Sequence, residues 1–328
     1  MYSSETTALD GLLGDPVRLF LKIAWPGRAA VLLTLIAGAI CPPAAFAQNE
    51  AGCATEGAAL HAMLDTEYAF GEKAQASVRG AFLEYLAKGS WILNPAPEPG
   101  PPVYKAAKDN EDKLEWYPVI GDVAPSGDLG FTTGPWVYTD TGSGSGSGRQ
   151  RHGHFLTIWR RDAQCQWRVQ FDGGISHATP TSLEPKLRPD QAPFTNTELP
   201  PPNLVTHDAA GHAVSDFQDT AQRDGMAAAL RTYGRDNDFL FYTDGQSPIG
   251  IVAANAYLTV HAIVGAWKEE VGGRSADSTL VYSVGELTDG SGHRTHAYAQ
   301  IWQYDPKVAN WGLRMLLVNP LPPPKTKS

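Results

Sequence analysis

Runs of β-branched and aromatic residues, separated by turn residues, dominate residues 126–174. Three such runs occur. The first two flank a glycine- and serine-rich tip at residues 142–148, and the last two flank a short turn at residues 162–165. Residues of these types favour β-strands, and short polar connections between them favour hairpins. The pattern therefore predicts an antiparallel meander of three long strands.

A weaker copy of this pattern occurs at residues 278–318. The Ile-Trp pair at residues 158–159 recurs at residues 301–302, and a further tryptophan follows each pair, at Trp167 and Trp311. Self-similarity of this kind indicates one structural unit used twice.

Helical spacing of apolar residues precedes each meander. In the first copy this spacing covers residues 61–89, where Gly71 is predicted to separate two helices. The other predicted elements are strands at residues 91–93 and 238–242, a loop at 95–102, a short polar helix at 110–114, and helices at 217–233 and 253–267. Helices followed by long antiparallel strands predict an α+β fold, with helices packed on one face of a curved sheet.

Proline-rich sequence separates the two copies, and residues 179–205 lack an apolar period, which predicts an extended linker. The predicted divisions are a signal peptide at residues 1–47, a first domain at 54–178, a linker at 179–209, a second domain at 210–319 and a polar tail at 320–328. Apolar residues occur on both faces of the strands, so we expect the two domains to pack through their sheets as an intrachain pseudo-dimer.

The N-terminal segment has the features of a secretory signal. Basic residues precede an apolar run at residues 29–40, and an Ala-x-Ala cleavage pattern ends at Ala47. A transmembrane anchor is the alternative, but the run is shorter than the roughly 20 residues that a spanning helix needs. We therefore expect a secreted or periplasmic protein that has no membrane segment after cleavage.

The net charge bears on the possible partners of the protein, and the cysteine content bears on whether it forms a disulfide. The formal net charge is −9 with no basic run, which argues against nucleic acid as a partner. After signal cleavage two cysteines remain, Cys53 and Cys165. In an oxidising compartment a lone pair favours one disulfide, and two unpaired thiols are the alternative.

The runs SGDLGFTTGPW, GHFLTIWRR and WRVQFDGG resemble the nuclear transport factor two-like superfamily. Within it, the chain is most similar to secreted tandem domains of unknown function, akin to the SnoaL-like and ketosteroid isomerase-like groups. The resemblance implies two tandem cystatin-like cones, each a curved antiparallel sheet wrapped on about three helices with a pocket inside. It implies no catalytic residue, because the superfamily includes both enzymes and binding proteins.

His154 and Asp172 are the candidate catalytic residues, as a general base and the carboxylate that orients it. They lie on consecutive predicted strands, and the second copy has Ala297 and Leu316 at the matching positions. The alternative is a structural histidine and a turn aspartate. Because side chains alternate along a strand, only one of His154 and Trp159 can face the cone interior unless a bulge intervenes.

Aromatic residues of the first copy are the candidate lining of a ligand cavity. They are Tyr68, Trp91, Trp116, Phe131, Trp136 and Trp159. The histidines show no metal-ligand spacing, and no nucleotide-binding glycine motif occurs, so we expect neither a metal nor another cofactor.

Three functional hypotheses follow from the sequence. The first is a binding protein that holds a small apolar or aromatic molecule in the first cone. The second is a cofactor-free isomerase, cyclase or lyase of the SnoaL or ketosteroid isomerase type. The third is a structural scaffold without a ligand. Polar groups around an open cavity would favour the enzyme, whereas a filled or wholly apolar cone would exclude it.

Overall fold

The structure is a computed structural model. It describes residue 53 and residues 56–108, 111–142, 148–178, 184–191, 207–235 and 237–323. The predicted signal peptide lies outside the described residues, as do much of the predicted linker and the end of the tail. All described residues belong to one compact unit.

The first half of this unit contains three helices and seven strands. They are α1 (Glu56–Ala74), α2 (Val78–Tyr85), β1 (Leu86–Leu93), β2 (Pro97–Pro99), α3 (Gly100–Ala106), β3 (Lys113–Trp116), β4 (Ile120–Val123), β5 (Leu129–Thr139), β6 (Gln150–Arg161) and β7 (Trp167–His177). The three long strands of the predicted meander are β5, β6 and β7. The Ser77 hydroxyl caps α2 by accepting a hydrogen bond from Gly80 N at 2.8 Å.

The second half contains three further helices and five strands. They are α4 (His207–Asp224), α5 (Met226–Tyr233), β8 (Leu240–Tyr242), α6 (Ile251–Val260), β9 (Ala266–Arg274), β10 (Leu280–Thr288), β11 (Arg294–Asp305) and β12 (Asn310–Pro320). Within the described residues, no helix is both long and apolar enough to cross a membrane.

Several of the predicted elements are wrong. Gly71 does not divide α1, which continues to Ala74. Residues 113–116 form a strand because they pair with β5, so sheet pairing overrides the helical preference of a short charged segment. The helix predicted at 253–267 ends at Val260, and the edge strand β9 follows it. Helix α4 begins at His207, inside the predicted linker.

The strands form two curved, unclosed sheets in an α+β arrangement. The first sheet has the order β2-β1-β7-β6-β5-β3, and β4 also pairs with β5. The second has the order β8-β12-β11-β10-β9. Each sheet contains one strand that runs parallel to the last strand of its meander. These parallel pairs are β1 with β7 and β8 with β12.

Each sheet has a bulge at the same place relative to its Ile-Trp pair. Ile158 pairs with Phe171 and Trp159 with Val169, which leaves Gln170 as the extra residue. On β11 the register shifts in the same way after Ile301, which leaves Arg314 as the extra residue. A bulge inverts the alternation of side chains on its strand, so it re-aims the residues on either side.

Apolar side chains form one cluster under the helices of each half and a third cluster between the two sheets. The third cluster combines β5–β7 residues such as Phe131 and Ile158 with Tyr242, Tyr282 and Met315 of the second half. Hydrogen bonds also join the halves, including Thr133 Oγ1 to Tyr242 Oη at 2.6 Å and Asn319 Nδ2 to Gly174 O at 2.8 Å.

The predicted disulfide between Cys53 and Cys165 is present, with the two Cα atoms 5.6 Å apart. Cys165 lies in the turn between β6 and β7 and has a φ of 61°. Because Cys53 precedes α1, the bond ties the start of the described chain to the first sheet.

Candidate functional site

A cavity of about 410 Å³ opens into the first half, between the helices and the concave face of the first sheet. Aromatic side chains are the largest class of lining residue. The aromatic lining residues are Phe82, Tyr104, Trp116, Trp136, Tyr138 and Phe155, and the polar and charged ones are Asn94, Arg151, Asp172 and Ser176. The volume lies within the range of small-molecule sites.

Two packing features keep the aromatic wall in place. The rings of Phe82 and Tyr104 stack with their centroids 4.2 Å apart and their planes 12° apart, which joins α2 to α3. On the opposite wall the Trp136 indole lies directly over Gly153, where an added Cβ would be only 2.4 Å from the ring. Glycine is therefore required at position 153 for Trp136 to lie flat against β6.

Asp172 supplies the carboxyl group of the cavity. Its Oδ2 accepts a hydrogen bond from Thr157 Oγ1 at 2.8 Å, across the β6–β7 pair. Within the described chain, its Oδ1 has no protein hydrogen-bond partner, and Asp172 lines the cavity. One carboxyl oxygen is thus held by the sheet, while the other has no protein partner among the described residues.

Burial raises the pKa of Asp172 to about 7, and the nearby Glu67 carboxyl adds to this shift, while the Thr157 hydrogen bond opposes it. Asp172 is half-buried, because part of its surface faces the open cavity and protein surrounds the rest. Burial likewise raises the pKa of the Tyr104 hydroxyl well above its ordinary value, with Asp172 as a second cause. Near neutral pH, Asp172 can therefore both accept and donate a proton.

Glu67, on α1, is a second buried acid, and only 1% of its surface is exposed. Its carboxyl group accepts three hydrogen bonds, from Trp116 Nε1 at 2.6 Å, from Trp159 Nε1 at 2.9 Å and from the Thr132 hydroxyl. Burial raises its pKa despite these donors. These contacts use both carboxyl oxygens, so Glu67 holds the two tryptophans of the cone in position.

The predicted contact between His154 and Asp172 is wrong. Thr157 is directly opposite Asp172, and His154, three residues earlier on β6, faces the other side of the sheet. Of His154 and Trp159, it is Trp159 that faces the cone interior. The bulge lies on the neighbouring strand β7, at Gln170, so it leaves the alternation of side chains along β6 unchanged. His154 lies in the contact between the halves, with its ring 5.8 Å from that of Tyr242.

His154 instead holds the segment 184–191 against the first half. His177 Nδ1 donates to Ala178 O at 2.7 Å, so its Nε2 accepts a hydrogen bond from His154 Nδ1 at 2.8 Å. The Nε2 of His154 faces the Glu184 carboxylate at 2.6 Å and must also donate. The hydrogen bond from His154 lowers the pKa of Glu184.

The six predicted aromatic residues occupy different places. Trp116 and Trp136 line the cavity. Trp159 lies in the apolar cluster beneath the helices, whereas Phe131 and Trp91 pack in the cluster between the sheets. The Tyr68 hydroxyl donates to Leu187 O at 3.1 Å, under the segment 184–191.

Sequence reasoning missed Glu67, Arg151, Tyr104 and Tyr138 as parts of this site. Alternation along β6 could have found Arg151, because residues 151, 153, 155, 157 and 159 share one face. Helical spacing could have found Glu67, because it lies in the apolar stripe of α1 with Leu64 and Phe70, whereas the other acidic residues of known exposure on α1 lie outside it. No group of three or more histidine, cysteine or acidic side chains in the described part of the chain could hold a metal ion.

The interior of the second half is filled where the first half has its cavity. Phe217, Trp267, Tyr298 and Trp302 pack edge to face there, with centroid distances of 4.7 to 5.8 Å. Leu316, the counterpart of Asp172, belongs to the same cluster. A larger groove of about 650 Å³ lies between α4 and β9–β10, but its only aromatic lining residue is the buried Tyr282.

No family model and no curated protein matches this chain. Among solved structures, a conserved protein from Planctomyces limnophilus is 15% identical and covers 35% of this chain and 94% of its own, with a TM-score of 0.31. A nuclear transport factor two-like protein from Salmonella enterica is 11% identical and covers 37% and 93%, with a TM-score of 0.32. A ketosteroid isomerase-like protein from Erwinia carotovora is 13% identical and covers 37% and 97%, with a TM-score of 0.30. The chain resembles nuclear transport factor two-like proteins.

Proposed function

We propose that the cavity of the first half binds a small organic molecule with an aromatic or polycyclic body and a hydrogen-bond donor that reaches Asp172. The observation that carries this proposal is the combination of aromatic walls with one unpartnered carboxyl oxygen inside the cavity. Aromatic walls combined with a few placed polar groups are typical of small-molecule sites. Flat rings gain contact with the aromatic walls, and the donor satisfies Asp172 Oδ1.

2-Naphthol tests this proposal, because it has a flat apolar body and one hydroxyl donor. We expect saturable binding at one site by calorimetry or by naphthol fluorescence. Replacing Asn94, an exposed residue of the cavity lining, by tryptophan should block the cavity and weaken binding at least tenfold. Lys88→Trp is the matched control, because it adds the same side chain at an exposed position on β1 outside the lining. Equal binding by both variants would contradict the proposal.

A second candidate function is acid–base catalysis in the same cavity, as a cofactor-free isomerase, cyclase or lyase. The pKa of Asp172, raised to about 7 by burial, favours it, because a base with a pKa near the working pH transfers protons most efficiently. The rate of such a reaction should follow one ionisation near pH 7. Turnover that survived in Asp172→Asn would contradict this candidate.

We also propose that the two halves are tandem cones of the same superfamily, packed through their sheets as an intrachain pseudo-dimer. The shared bulge supports this, and so does a shared turn in which Gly127 and Ser278 both have positive φ. In an experimental structure, superposing the meanders should bring Trp159 onto Trp302. A failure to superpose would count against a common origin of the two halves.

A further inference from the structure

Arg151 lines the mouth of the cavity and is the only cationic residue in its described lining. It lies on β6 on the same face as Phe155 and Thr157, since side chains alternate along the strand. Arg151 is six positions before Thr157, the hydrogen-bond partner of Asp172. This corresponds to roughly 20 Å along the strand, so the cation and the acid lie at opposite ends of the site.

The Arg151 guanidinium is held in place without being neutralised. It stacks over the Tyr138 ring with its central carbon 4.4 Å from the ring centroid. The Tyr138 hydroxyl donates to Asp112, which also accepts a hydrogen bond from Thr141 N at 3.0 Å, so the stacking platform is itself fixed. A stacked guanidinium keeps its N–H donors free at its edge.

No acidic group among the described residues forms an ion pair with Arg151. Asp112 is close enough to be influenced by its charge, but the Tyr138 hydroxyl and the Thr141 amide are the larger causes of the lowered pKa of Asp112. A fixed, unpaired guanidinium at the mouth of an aromatic cavity is suited to a planar oxyanion, which accepts two parallel N–H hydrogen bonds.

We propose that the ligand of this cavity is an aromatic carboxylate whose anionic group pairs with Arg151 while a hydroxyl or N–H donor at its far end binds Asp172. This inference rests on the proposed binding function and names the class of ligand. The gap that the ligand must span is shorter than the separation along the strand, because the Arg151 side chain is long and both groups line the same cavity, so a molecule of two or three fused rings can approach both. The anion stays at the solvent-exposed mouth, away from the buried acids Glu67 and Asp172.

Three naphthalene probes test the contacts at Arg151 and at Asp172 separately. 6-Hydroxy-2-naphthoate carries both groups, its methyl ester lacks the charge, and 2-naphthoate lacks the donor. We expect the hydroxy acid to bind about ten- to a hundredfold more tightly than the ester, since a charge-assisted hydrogen-bond pair is lost. Arg151→Gln should remove this preference and leave the affinity for the ester unchanged, and Arg151→Lys should retain part of it.

Arg149→Gln is the matched control, because Arg149 is an exposed arginine two positions away that does not line the cavity. It should preserve the preference for the acid. Asp172→Asn should weaken the hydroxy acid and the ester but not 2-naphthoate. Equal affinity for acid and ester in the wild type, or equal losses in both arginine variants, would overturn the inference while leaving the cavity function intact. Unimpaired binding of the ester in Asn94→Trp would instead refute the cavity function itself.

Discussion

Replacing Cys53 and Cys165 together by serine is expected to lower the free energy of unfolding by about 4 kcal/mol. The disulfide joins residues separated by 112 positions. A bond that closes so long a loop removes much of the conformational freedom of the unfolded chain. The loss should appear as a lower urea midpoint, with a steeper transition because the unfolded chain without the bond is less compact.

Reduction of the wild-type protein is the matched control for this prediction. The reduced protein and the double variant should unfold at the same urea concentration, because both lack only the covalent link. The protein for this experiment begins at Gln48, which leaves no other cysteine. Identical midpoints for oxidised and reduced wild-type protein would contradict the prediction. They would mean that the segment before α1 adds nothing to the stability of the first sheet.

The long strands were predictable from sequence because their pattern is local. β5, β6 and β7 consist of β-branched and aromatic residues bounded by turn residues, so both the strands and their antiparallel order follow from neighbouring positions. The short edge strand β3 was mistaken for a helix because it is charged and its pairing partner, β5, comes later in the chain. β9 was missed for the same reason, because Lys268, Glu269 and Glu270 favour helices when no partner strand is considered.

The site was less predictable because it depends on which way each side chain faces. Alternation predicted that His154 and Trp159 face opposite sides of the sheet, but it did not say which of them faces the helices. That choice is set by packing: the indole of Trp159 is buried against α1, and His154 meets the second half and Glu184. Asp172 lies on the strand that follows β6, as its position in the sequence predicted, but its hydrogen-bond partner is Thr157.

The fold also explains why the second half is filled at the place where the first half has its aromatic cavity. Asp172 and Glu67 are polar groups that the first half must solvate or hydrogen-bond, and a cavity leaves Asp172 accessible to a ligand. In the second half, Leu316 replaces the acid, and the Trp302 indole donates to Gln300 Oε1 at 3.0 Å on its own strand. A buried acid is therefore not needed to satisfy that tryptophan. Burying Asp172 without an ion-pair partner has a cost that Leu316 avoids in the second half.

Because burial raises the pKa of Asp172, the free energy of unfolding should depend strongly on pH. Asp172 has a pKa of about 7 in the folded protein against an ordinary value of 3.8, because of burial. Between these two pH values the folded state binds more protons than the unfolded state, so stability falls as pH rises. The stability that the folded protein gains by keeping Asp172 protonated is fully present below pH 4 and is lost above pH 7. A shift of this size corresponds to a change of up to about 4 kcal/mol.

Asp172→Asn should remove this dependence, because asparagine stays neutral and keeps an oxygen that can accept the Thr157 hydrogen bond. We expect the variant to match the wild type near pH 4 and to exceed its unfolding free energy by up to about 4 kcal/mol at pH 8, measured by urea unfolding. Glu67 and Asp122, whose pKa values are also raised by burial, remain in both proteins, so the difference between the two curves reports mainly Asp172. Asp65→Asn, at an exposed position on α1, is the control and should shift stability by less than about 0.5 kcal/mol. If the Asp172→Asn and wild-type curves were parallel, Asp172 would be ionised at neutral pH in the folded protein.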